Sequence, residues 1–105
     1  MKKTNVLEAF GFNELQMKPH LVHDSPYFKM INFNFRAGQV MPIHSHDIEG
    51  QLSMVVLEGR GRFLGKDRVE LPAQTGDVLI SDISEPHGFQ AESDVRLLVT
   101  IAPPI

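Results

Sequence analysis

Short apolar runs, each about the length of a β-strand and each stopped by Gly, Pro, Asn, Asp or Ser, recur along this chain, and no helical period competes with them. From Tyr27 to Arg36, Ile31, Phe33 and Phe35 alternate with Asn32 and Asn34, the pattern of a half-buried strand that Gly38 then stops. Leu52 to Leu57 is apolar except for Ser53 and ends at Glu58-Gly59. Arg60 to Leu64 follows, then a turn at Gly65-Lys66-Asp67, a strand from Val69 to Leu71, and a second turn from Pro72 to Gly76. Asp77 to Ser81 and His87 to Ala91 are strands separated by Ser84-Glu85-Pro86. Val95 to Ala102 is the last strand, ended by Pro103-Pro104, which remove backbone donors. Eight or nine short strands at this spacing predict an all-β sandwich or barrel. The one helical candidate lies within Asn5 to Met17, capped by Asn5 and cut short by Gly11 and Asn13.

At 105 residues the chain has room for one domain and one core. With 42% hydrophobic and 22% charged residues its composition is that of an ordinary globular protein. A net charge of −3 supplies no basic field, so nucleic acid and anionic membranes are excluded as partners. Without cysteine there is neither a disulfide framework nor a thiolate metal site. Met1-Lys-Lys-Thr-Asn-Val leads into no long apolar run and no stretch has transmembrane length, so a soluble, cytoplasmic protein is expected.

Three of the five histidines carry the chemistry. His44 and His46 stand two apart, and on an extended segment such residues point to the same side. His87 lies forty-one residues beyond His46 and must be brought in by the fold. Ligands from two distant strands, leaving open positions, describe a catalytic or binding metal site better than a closed structural one. His20 and His23 have no partner at fixed spacing and are read as structural or exposed.

With five residues between Gly38 and His44-Ser45-His46, and Gly76, followed by Asp77, eleven positions ahead of a His87 preceded by Pro86, the chain resembles the small single-domain, RmlC-like cupins. The resemblance runs from about Phe28 to Pro103. It implies a cupin jelly-roll β-barrel (a double-stranded β-helix) over residues 28–105, with residues 1–27 as an N-terminal segment and first strands of the same domain. The slot of the family's usual glutamate ligand falls at Gln51, from which the interval to Gly59 is one residue longer than the common spacing. Asp82, Ser84 and Ala91 replace the usual proline, glycine and asparagine of the second motif.

The implied site is one divalent transition metal held by His44, His46, His87 and Gln51, with Gln51 either coordinating or hydrogen-bonding a ligand histidine. Glu49 is the rival ligand and the candidate catalytic base. If Gln51 faces inward, alternation puts Ser53 and Val55 on the pocket wall, with Phe89 and Ala91 following His87. Leu57, on the same face, is core packing. Neutral ligands leave the metal its full charge, which favours an anionic oxygen ligand, and iron(II), zinc, nickel or copper over harder cations. Arg60, Arg62 and Arg96 are the cations available to an anionic substrate, although strand arginines usually face solvent. The expected activity is metal-dependent dioxygenation, isomerisation or cyclisation of a small enolate- or carboxylate-bearing molecule; the other reading is a non-catalytic binding or sensing cupin. The resemblance further implies a homodimer, with Lys18 to Asp24 as the exchanged strand.

Overall fold

The computed structural model describes all 105 residues. Asn5 caps a single helical turn, α1 (Val6–Ala9), its side-chain oxygen accepting from the backbone N–H of Leu7 and Glu8. Nine strands follow: β1 (Lys18–Asp24), β2 (Lys29–Phe35), β3 (Val40–His44), β4 (Gln51–Glu58), β5 (Arg60–Gly65), β6 (Glu70–Gln74), β7 (Val78–Asp82), β8 (His87–Ala91) and β9 (Val95–Ala102). They form two antiparallel sheets, one ordered β1-β2-β9-β4-β7 and one ordered β3-β8-β5-β6, facing each other as a jelly-roll sandwich. No helix is long and apolar enough to cross a membrane.

One sequence expectation is corrected here. Pro72 was expected in a turn and instead sits inside β6, opposite Arg62. β6 is the last strand of its sheet, so the N–H that proline lacks would have faced no neighbour. The turn begins only after Gln74, where the side chain of Asp77 accepts from the backbone N–H of Gln74.

The interior is filled from both sheets. β2 contributes Phe35, β4 contributes Leu52, Met54 and Val56, and β9 contributes Val95, Leu97, Val99 and Ile101. The facing sheet supplies Met41, Phe63, Ala73, Phe89 and Ala91. On the outer side of β2 and β9 the N-terminal segment is tied down by polar contacts. The Asn34 amide donates to the carbonyls of Phe10 and Gly11, and Arg96 donates to those of Val6 and Phe10 while lying over the Phe12 ring. β1, the segment the resemblance offers for exchange, pairs with β2 of its own chain. His20 stacks on Phe10 and His23 leans on Phe28, so both histidines outside the motifs have the structural role expected of them.

Candidate metal centre

His44, the last residue of β3, lies directly across from His87, the first residue of β8. β3 carries an irregularity between Met41 and His44, which re-aims the strand end. His46 follows in the loop to β4, fixed by its backbone N–H donating to the carbonyl of Ile83, while the carbonyl of Gly50 accepts from the N–H of Ile83. A wholly buried Ile83 therefore acts as the peg on which the histidine loop hangs. The result is one cluster from two remote segments, with ring centroids 4.5 Å apart for His44 and His87 and 5.8 Å apart for His44 and His46.

The imidazoles are oriented by the backbone. His44 Nδ1 lies 2.9 Å from the carbonyl oxygen of Pro42, and His87 Nδ1 lies 2.6 Å from that of Glu85. A carbonyl can only accept, so each Nδ1 carries the proton and each Nε2 keeps its lone pair. This is the arrangement that outer hydrogen bonds impose on metal-binding histidines. His87 is only 3% exposed. Burial pushes it below the ordinary imidazole range, the hydrogen bond to Glu85 opposes that shift, and charge on His44 or His46 would add to it. The neutral, ligating form is thereby favoured.

The three rings stand in the wall of a cavity of about 170 Å³ whose other lining is entirely apolar: Ile31, Phe33, Met41, Leu52, Met54, Val99, Ile101 and Ile105. A borderline divalent metal fits this donor set chemically: neutral imidazoles, free lone pairs, no carboxylate to attract a hard cation. As the side chains lie, no group of three or more His, Asp or Glu residues stands at holding distance of a common ion. His46 lies on the loop and in the wider of the two ring pairs.

Several expected site residues fall elsewhere. Along β4 the buried positions are Leu52, Met54 and Val56. Gln51, Ser53 and Val55 therefore belong to the other face. Gln51 is exposed at the strand start, its amide donating to Asp82 across the pair with β7, and it does not line the cup. The neighbouring residue Leu52, 4% exposed, faces the cup and forms part of its wall. Ser53 and Val55 are likewise removed from the pocket. Phe89 and Ala91 do point inward, but deeper in the sandwich. Phe89 packs between Phe35 and Phe63, and neither residue reaches the cup. Glu49 is exposed on the loop and absent from the lining, so nothing places it as a base.

The arginines are also accounted for. Arg62 is paired with Glu70 and Glu92, Arg96 holds the N-terminal segment, and Arg60 is exposed; none lines the cup. Sequence reasoning named none of the apolar wall residues as pocket lining, and those on β4, Leu52 and Met54, left two signals. Ser53 is the one polar residue in the apolar run of β4 and marks its outer face. The extra residue between Gln51 and Gly59 puts the family spacing at Leu52.

Comparison with known proteins agrees with this architecture. A family model described as "Cupin domain" matches residues 32–101. An RmlC-like cupin protein from Desulfovibrio desulfuricans superposes with a TM-score of 0.97 at 51% identity, covering 100% of this chain and 99% of that one. KdgF from Halomonas sp. gives a TM-score of 0.78 at 20% identity, over 95% of this chain and 92% of that one. Ectoine synthase from P. lautus gives 0.78 at 18% identity, over 100% and 80%. These last two similarities show the fold alone. No curated protein matches the chain. With a family match over residues 32–101 and a half-identical cupin of the same length and shape, the chain belongs to the cupin domain family.

Proposed function

We propose that this chain is a metal-dependent cupin enzyme that acts on a small molecule bearing an enolate or carboxylate oxygen, by dioxygenation, isomerisation or cyclisation. The observation that carries this reading is the contrast inside the cup: three imidazoles, two of them (His44 and His87) with oriented lone pairs, in a wall otherwise made only of apolar side chains. Such a site recognises a molecule with an oxygen donor at one end and an apolar body at the other. A cavity of about 170 Å³ is close to the ~150 Å³ engineered cavity that takes benzene, so the apolar part has roughly that bulk.

His44, His46 and His87 would hold iron(II), zinc, nickel or copper, and the bound cation would polarise a carbonyl or acidify a water. The protein's own contributions are of other kinds. A wall of apolar side chains, Leu52 among them, puts no side-chain carboxylate beside the imidazoles, so a cation held there would keep its full charge. Met54, Phe33 and Val99 exclude water from the substrate's body. The Pro42 and Glu85 carbonyls hold the ring protons away from the cup.

A second reading rests on a specific observation. Apart from the histidines the cup has no titratable side chain, and Glu49 lies outside it. That favours a binding or sensing module in which a metal anchors a ligand without turning it over. Metal content of untagged protein tests the shared premise: about one equivalent is expected in the wild type and none in His87→Ala. Oxygen uptake and product analysis with enolisable carbonyl compounds then separate the two readings, since a binder consumes and converts nothing. Wild-type protein that retains no first-row metal after loading with iron(II), zinc, nickel or copper would overturn both.

A further inference from the structure

The tail that follows β9 runs back across the cup. The side chain of Ile105 forms part of the wall that holds His44 and His46, and it remains 37% exposed. Of the wall residues, all except His46 and Ile105 sit in strands, where the ladders fix them. Ile105 is thus the one apolar part of the wall that is free of both sheets.

Two contacts set its position. Lys29, at the start of β2, donates its Nζ to the carbonyl oxygen of Ile105 at 3.0 Å. Upstream, the tail crosses the end of the histidine loop at Gly50. There φ is +149°, and an added Cβ would stand 2.4 Å from the carbonyl oxygen of Ala102 and 2.4 Å from Cδ of Pro103. Only glycine admits that crossing. The segment bearing His46 and the segment bearing Ile105 therefore pack together at this crossing.

We propose that Ile105 is a specificity-determining residue: held by Lys29, at the end of a tail whose Ala102 and Pro103 are seated on Gly50, it straps the apolar side of the cup and sets the size of the ligand body admitted. The proposal rests on the reading that the cup holds a small ligand, but not on any reaction there. Shortening the side chain lengthens the body the cup accepts, enlarging it shortens that body, and releasing the anchor acts as a shortening does.

The test uses the full chain as wild type, Ile105→Ala, Ile105→Trp and Lys29→Met, with binding read from the methyl resonances of Ile31 and Val99. Two probe series are titrated: benzene, toluene and ethylbenzene into metal-free protein, and acetate, butyrate and hexanoate into zinc-loaded protein. Ile105→Ala is expected to shift the preference toward the larger member of each series by about tenfold, the factor that a methylene commands in an apolar pocket. Ile105→Trp is expected to shift it the other way, and Lys29→Met to follow Ile105→Ala with a smaller change. A size order that no variant alters, or that both substitutions at 105 alter in the same direction, refutes the strap. Should carboxylates bind with an order indifferent to residue 105, the strap falls and the anionic-ligand reading stands. Should only the aromatic series bind and shift, the strap stands and that reading falls. Binding of neither series refutes both.

Discussion

The two ends of the sandwich interior are built by the same strands and differ in almost everything else. At one end Phe35, Val56, Val95 and Phe89 are at most 1% exposed, and the rings of Phe35, Phe63 and Phe89 interlock. At the other end the same strands offer Ile31, Leu52, Val99 and His87 around a cavity of about 170 Å³. β8 makes the point within three residues, since His87 belongs to the open end and Phe89 to the filled one. Stability is concentrated where side chains meet, and the space that the proposed ligand would fill lies where they have been kept from meeting.

The largest expected effect lies at the filled end. Phe89→Ala removes a wholly buried ring between two others and should cost about 3–5 kcal/mol in urea unfolding, as large-to-small aromatic changes in cores do. A loss under about 1 kcal/mol would mean that the two ends are equally soft. Next comes Gly50→Ala, where a positive φ and a 2.4 Å approach to the tail coincide. Backbone strain of that kind costs about 1–3 kcal/mol. Because the tail must shift, the variant should also expose the cup, which faster hydrogen exchange at Ile101 would report.

The histidines then sharpen the comparison from within the open end. His44→Ala and His87→Ala should both abolish metal retention. Only the second should weaken the metal-free fold, by about 1–3 kcal/mol, because His87 is buried and its loss leaves the Glu85 carbonyl without a partner. His44 is exposed and should cost within about 0.5 kcal/mol. Equal destabilisation by the two would show that the rim is packed as tightly as the floor. Leu52→Glu makes a smaller, chemical change. It puts a carboxylate on the inward face of β4, so zinc should be held more tightly and acetate less tightly by the loaded protein. A rise in acetate affinity would contradict the neutral-wall account.

Much of this contrast was legible in the sequence, and the illegible parts have physical causes. The strand rhythm and the two histidine motifs needed only local information: turn formers, alternation and fixed spacing. The inner face of β4 did not follow, because a strand covered on one side by the core and lined on the other by Val55 and Leu57 is apolar on both faces. Alternation then lacks the contrast that would set its phase, and only Ser53 and the extra residue before Gly59 carried it. Pro72 was read as a turn because nothing in a chain says which strand ends up at a sheet edge. The place of Ile105 in the cup depends on a tail that doubles back over Gly50, a long-range contact without a sequence signature.

The smallest effect concerns protonation of the metal-free protein. Burial depresses the folded-state pKa of His87 below its unfolded value near 6.5. Above that value the ring is neutral in both states and costs nothing. As pH falls below it, the unfolded chain takes up a proton that the folded one resists, so stability declines until the depressed folded-state pKa is passed. Urea midpoints measured from pH 7.5 down to pH 5 should therefore fall more steeply for the wild type than for His87→Leu, which has no proton to take up at that site. The wild-type curve should steepen relative to that of the variant only below about pH 6.5, whatever constant offset the substitution adds. Excess divalent zinc should flatten the wild-type curve near neutrality by binding the neutral rings of the folded state. Parallel curves at every pH would mean that the floor of the cup is solvated as freely as its rim, and the distinction between the two ends would then stop at the hydrocarbon.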